Sequence, residues 1–135
     1  MADEKLTAEL QDLMPFAALL AIEALTCSAQ RVVCQVSWRP EVCTSNSLMH
    51  GGFLMAVADS VGALLAFHNL PSGAGTATIE SKTNFLRGIR EGAVTFTATP
   101  VHVGRTTIVV QTDATDDRGK LITRTTQTQA VLPGV

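Results

Sequence analysis

The chain has 135 residues, 46% hydrophobic and 16% charged, a composition that excludes general disorder and suits one domain. A chain of this length buries roughly two-thirds of its unfolded surface, enough for a core without disulfide or metal staples. The formal net charge of -2 excludes a nucleic-acid binder that works through a basic field. The start, Met1-Ala2-Asp3-Glu4-Lys5, is acidic where a secretion signal is basic. The longest apolar run, Gly51 to Phe67, carries Asp59 near its middle, which argues against a membrane span. Cys27, Cys34 and Cys43 are odd in number, lack zinc-type spacing, and read as free thiols of a cytoplasmic protein.

In chain order, residues 3–13 predict a short acidic helix that stops before Pro15. Residues 31–38 predict a strand, with Val32, Cys34, Val36 and Trp38 alternating on one face. Residues 51–67 are apolar all round and too long for a typical strand, the pattern of a helix buried on most sides. Pro71 to Gly75 reads as a loop. Threonine then divides the chain: 14 of the 17 lie at or after Thr76, where β-branched side chains favour strands. Segments 76–86, 93–103, 106–114 and 120–132 predict four strands. Pro100 marks an edge or a bulge in the second of these, His102 to Arg105 a tight connection, and Asp116-Asp117-Arg118-Gly119 a hairpin turn. One buried helix followed by a meander implies an α+β domain whose antiparallel sheet wraps the helix.

Between Glu41 and Glu80 the only formally charged residue is Asp59. Helical spacing puts it on a face with Gly52, Met55, Ala56, Gly62, Ala63 and Ala66, a stripe of mostly small side chains that leaves room for an approaching group. The opposite faces carry Phe53, Leu54, Val57, Val61, Leu64 and Leu65, which predict the core. No lysine or arginine lies within a helical turn of Asp59, so a functional carboxylate is favoured over an ion-pair partner such as Arg87 or a solvated acid. His50-Gly51-Gly52 opens the helix, where unpaired N–H groups and the positive dipole end can polarise a carbonyl, and glycines admit a ligand close to the backbone.

Met49-His50-Gly51-Gly52, Ala58-Asp59-Ser60, Asn84-Phe85-Leu86-Arg87 and Val103-Gly104-Arg105-Thr106 together resemble the PaaI / 4-hydroxybenzoyl-CoA thioesterase branch of the hotdog-fold superfamily. The similarity covers roughly residues 30–132, with the motifs in the same order. The resemblance implies one hotdog domain over 1–135, an antiparallel sheet around a long central helix at about 51–67, with the N-terminal helix preceding a core at about 30–132. It implies an acyl-CoA thioesterase with no metal or organic cofactor. Asp59 matches the catalytic carboxylate, as general base or nucleophile; Gly51, with Gly52, matches the donor to the thioester carbonyl; His50 matches the histidine that organises the turn. Thr78 aligns with an assisting serine, and Arg87, Arg105 and Arg90 are the candidates for the CoA phosphates. Phe53 and Met55 are candidates for an acyl pocket.

The chain departs from the pattern at Thr44, where many relatives have Asn or Gln and for which nearby Asn46 is a substitute, at Ser47, and at Ala63. The partners implied are an acyl-CoA substrate and further copies of the chain, a homodimer or a homotetramer built from two dimers, with no nucleic acid or membrane. Sites would lie at the interface, Asp59 of one copy meeting Thr78 or Arg87 of the other. The alternatives are a non-catalytic CoA-ester binding or regulatory module and, further off, a hotdog hydratase or dehydratase.

Overall fold

Asp3 starts the first helix: its Oδ1 accepts the Leu6 N–H at 3.0 Å, the usual way an N-cap carboxylate satisfies an orphan donor. The computed structural model describes residues 1–134. Helix α1 (Glu4–Leu13) buries Leu10, and α2 (Pro15–Leu19) follows at once with proline in its first turn. Strands β1 (Glu23–Cys27) and β2 (Val32–Ser37) come next, then two short 3₁₀ turns, Pro40–Val42 and Ser45–Ser47. The long helix α3 (Gly51–Phe67) precedes β3 (Gly75–Phe85), β4 (Ala93–Val103), β5 (Thr107–Thr115) and β6 (Leu121–Leu132).

All six strands form one antiparallel sheet in the order β1-β2-β4-β5-β6-β3. Alternation decides its inner face: Val32, Cys34 and Val36 of β2, Val94, Phe96 and Ala98 of β4, and Ile108 and Val110 of β5 are all buried. They meet Leu54, Val57, Val61 and Leu65 of α3, which packs on β2 through β6, so the sheet curls around one helix. This is the α+β hotdog arrangement that the sequence led us to expect. Among the described residues no helix is long and apolar enough to cross a membrane.

The structure departs from the sequence-based elements in three places. Helix α2 and strand β1 are additional; each is only five residues long, too short for periodicity to register. The strand at 32–37 ends before Trp38, whose indole Nε1 turns to donate to the Ser47 carbonyl at 2.9 Å. Pro100, by contrast, meets the expectation on both counts: pairing with β2 stops at Ala98, which leaves that side of Pro100 without a strand among the described residues, and the register with β5 slips between Pro100 and His102. Finally, the meander holds only for β4 to β6. Strand β3 crosses to the far side of β6, pairing from Gly75↔Leu132 to Phe85↔Thr123, and its other edge has no partner strand among the described residues.

The β5–β6 hairpin closes on Asp116, whose Oδ1 accepts the N–H groups of Arg118 and Lys120, each at 2.9 Å. The Lys120 N–H above all, with that of Arg118, holds the Asp116 carboxyl below the usual carboxylate range. A depressed folded pKa contributes stability above the unfolded pKa, and that stability is lost as pH falls through the folded one. Asp116→Ala is therefore expected to lower Tm at neutral pH, with the deficit shrinking on acidification from about pH 7 to about pH 2.5. Melts followed by circular dichroism check it, and a deficit that stays constant with pH would count against the turn carboxylate.

Candidate active site

The start of α3 is built by a loop tied at several points. The N–H of Met49 donates to the Ile89 carbonyl and that of His50 to the Val42 carbonyl, both at 2.9 Å, while Thr44 N–H reaches the Leu48 carbonyl at 2.8 Å. Within this loop Asn46 and Ser47 take left-handed backbone angles, φ 61° and 58°. His50 is extended and caps the helix, its Nδ1 accepting the Gly52 N–H at 2.8 Å. A Cβ at Gly52 would lie 2.9 Å from that imidazole, so this glycine lets the ring fold over the helix start. The Gly52 N–H is thus already engaged. Gly51 keeps a free one: among the described residues nothing accepts from its N–H, which sits at the positive end of the α3 dipole. The half-exposed Phe85 ring lies beside it, 3.2 Å from where a Gly51 Cβ would stand.

Asp59, partly buried, projects from α3 towards β3 and β6. Its Oδ1 accepts the Thr78 hydroxyl at 2.7 Å and Gln127 Nε2 at 3.0 Å. Its Oδ2 has no hydrogen-bond partner among the described residues. The Thr78 contact lies within one chain, whereas the resemblance implied a meeting of Asp59 with Thr78 across two. The stripe of small residues also behaves differently from the expectation of open space. At Gly62 the room is filled by the Gln127 amide, whose oxygen a Cβ there would overlap.

Competing nucleophiles are disarmed. Ser60 Oγ donates to the Ala56 carbonyl at 2.8 Å, and burial, with Cys27 nearby, pushes the Cys34 thiol up to about 12. The Cys27 thiol is raised by burial first and then by Glu9 and Asp3. Among the described residues no group of three or more His, Cys, Asp or Glu side chains could hold a metal ion.

The remaining candidates separate into places. Arg87 and Arg90 share an open cleft with Arg118 and Lys120, in which Glu91, Asp116 and Asp117 also stand. A second cleft, at Gly51 and Phe85, shares Arg87 and Gly88 with the first, so the basic cleft runs on to the helix start. Arg105 does not join them. Its turn is tied to β6 through Val131 N–H and the Thr106 carbonyl, whereas Arg87 N–H donates to Ile122; nine residues of strand, about 30 Å, separate these ties. Among the described residues no hydrogen bond joins Asn46 to Asp59, and the Asn46 carbonyl accepts Arg90 Nε at 3.3 Å. Buried Phe53 lines an apolar cleft with His50, Gly52, Phe16 and Leu19, while half-buried Met55 shares the helical face of Asp59.

Sequence reasoning missed Gln127, which meets Asp59 from the sheet, and Gln129 and Thr76, which are hydrogen-bonded in series behind it. A signal was present. In β6, Arg124 stands on the even-numbered face and marks it as the wet one, which turns Thr123, Thr125, Gln127 and Gln129 inward.

The model of the Thioesterase superfamily matches residues 46–123, more than half of the chain and the part that holds the helix start, Asp59 and Thr78. A Vibrio cholerae protein named "Putative esterase" is 32% identical over 104 residues, 77% of this chain and 66% of that protein. Among solved structures, a thioesterase from Haemophilus influenzae superposes with a TM-score of 0.87 at 26% identity, over 93% of this chain and 90% of the other. A mutant thioesterase from Pseudomonas aeruginosa gives 0.88 at 27% identity, over 94% of each chain. With its single long helix held in a curled antiparallel sheet and a family match across the whole of that helix, the chain belongs to the thioesterase superfamily.

Proposed function

We propose that the protein hydrolyses acyl-CoA thioesters to a carboxylic acid and free CoA, using Asp59 as the reacting carboxylate and the Gly51 N–H as the oxyanion donor. The observation that carries this reading is the one-sided tethering of Asp59: both donors hold Oδ1, and Oδ2 is left free. Acting as a general base, Oδ2 takes a proton from water as the water oxygen attacks the carbonyl carbon. Acting as a nucleophile, it forms a mixed anhydride that water then cleaves. On either route the C–S bond breaks as the tetrahedral intermediate collapses, and the CoA thiolate leaves. The Gly51 N–H, backed by the helix dipole, suits the negative charge that develops on the carbonyl oxygen.

Gly51 and Asp59 are eight residues apart on one straight helix, roughly 12 Å along its axis. A single thioester cannot touch both, since each must come within about 3 Å of the reacting group. One site therefore takes Gly51 from one copy of the chain and Asp59 from another. The unpaired edge of β3, with Ile79 63% and Phe85 49% exposed, is the surface that suits such a pairing. The continuous cleft from Gly51 to Arg87, Arg90, Arg118 and Lys120 suits the pantetheine arm and the phosphates of CoA.

Asp59→Asn is expected to lower kcat on the order of 100- to 10,000-fold while the oligomer stays folded, and parental turnover of a panel of acyl-CoAs would refute the assignment. Binding of the same panel without turnover in the parent protein would instead mark a CoA-ester binding module. Gly51→Pro removes the N–H, and proline suits the first helical position after the extended His50 backbone; its Cβ falls 3.2 Å from the exposed Phe85 ring, which has to shift slightly to admit it. Each variant is expected to be inactive by itself. Refolding the two together should restore part of the activity, since a mixed dimer rebuilds one intact site; a mixture as inactive as its parts would show that each site belongs to one chain. Arg87→Ala with Arg90→Ala should raise KM for an acyl-CoA at least several-fold and leave KM for the matching acyl-pantetheine unchanged, which steady-state kinetics on the two substrates checks.

A further inference from the structure

Residues facing a helix from the inside of a sheet are ordinarily apolar, yet β6 buries Thr123, Thr125, Gln127 and Gln129, each at 1% exposure or less. Two glutamines held this far from water need a reason, because each amide must be desolvated and re-paired. Their hydrogen bonds form a chain with a fixed direction. Thr76 Oγ1 gives its only proton to the Ala130 carbonyl at 2.8 Å, so towards Gln129 it can only accept. Gln129 must therefore present Nε2 to Thr76, at 3.1 Å, and Oε1 to the opposite side. That oxygen accepts Gln127 Nε2 at 3.0 Å and, at 2.6 Å, competes with Asp59 Oδ1 for the single Thr78 hydroxyl proton. Gln127 is thereby obliged to turn its NH₂, never its oxygen, towards Asp59. The second hydrogen of this NH₂ goes to Asp59 Oδ1 at 3.0 Å, and the Gln127 oxygen is left buried without a partner against Gly62.

We infer that Gln127 is a positioning residue for Asp59, and that Thr76 and Gln129 transmit the direction of a backbone carbonyl to it so that the carboxylate is always met by a donor on Oδ1 and directs Oδ2 to the substrate. This inference rests on the reading of Asp59 as the reacting group. The unpartnered Gln127 oxygen supports it, since a group chosen for stability alone would not leave a buried acceptor unsatisfied where leucine would fill the same space. Gly62 supports it too, because any larger residue would displace the amide.

The test is steady-state kinetics of Gln127→Met, which keeps length and flexibility and removes the donor. Oδ1 then has only the Thr78 proton, for which Gln129 Oε1 competes, and kcat is expected to fall on the order of 10- to 100-fold with KM within about twofold, since the substrate clefts are untouched. In an Asp59→Ala background the same substitution should cause no further loss, because Gln127 acts only through that carboxylate. Parental kcat in Gln127→Met alongside an inactive Asp59→Ala overturns the role of Gln127 and leaves the active-site reading standing; an active Asp59→Ala overturns the reading itself. A further loss in the double variant would make Gln127 a structural residue. Should circular dichroism show Gln127→Met unfolded, Gln129→Met releases the same amide from its fixed direction, and there an unchanged kcat would overturn the inference.

Discussion

An acid placed in the layer between α3 and the sheet is the constraint around which this molecule is arranged. A partly buried carboxyl is costly without hydrogen-bond partners, so the layer around it has to be polar and has to be ordered. The sheet answers on one side only. Strands β2, β4 and β5 present Val, Ile, Ala and Phe to the helix, with Phe96 and Ile108 fully buried, whereas β6 presents threonine and glutamine and β3 presents Thr76 and Thr78. The apolar half holds the helix; the polar half holds Asp59. Among the described residues the Gln127 oxygen is buried without a partner, at a cost of about 1–3 kcal/mol, beside the amide nitrogen that holds the acid.

The helix start meets a second demand by different means. Here the useful group is backbone, the Gly51 N–H, and the surrounding side chains settle which N–H remains available. His50 takes the Gly52 donor, and glycine at 52 makes space for the ring that does so. Asp59 and Gly51 thus lie on one rigid rod at a spacing no single reacting carbonyl can bridge. That spacing, together with the unpaired β3 edge, links catalysis in our proposal to assembly of the chain with itself. A rod is well suited to the purpose, because a helix of 17 residues fixes the distance between its two functional groups more firmly than any loop would.

Much of this was legible in the chain. The helix at 51–67 and the strand at 93–103 have the bounds read from the sequence, because both are long, and the bulge at Pro100 bends the strand without ending it. Asp59 stood out because charge is otherwise missing from its neighbourhood, and His50-Gly51-Gly52 because glycines at a helix start expose backbone donors. Helix α2 and strand β1 were invisible at five residues each. The place of β3 was hidden for another reason. A run of alternating strands suggests neighbours in sequence, and only packing against α3 decides that β3 lies beyond β6. Arg87 and Arg105 looked equivalent as basic residues after strands, yet the sheet holds them at opposite ends.

The sequence alone determined the α+β class, the buried helix, the acid on it and the donor at its start, because periodicity, glycine and the scarcity of charge are local properties that a chain carries with it. Only the tertiary structure decided which groups surround the acid. Gln127 and Gln129 are 68 and 70 positions beyond Asp59 and look like ordinary strand polarity until β6 is laid along α3. It likewise decided that Gly62 is a seat for an amide and no opening for a substrate. Hydrogen-bond direction is a property of neighbours in space, and here it runs from the Ala130 carbonyl through two glutamines to one oxygen of Asp59.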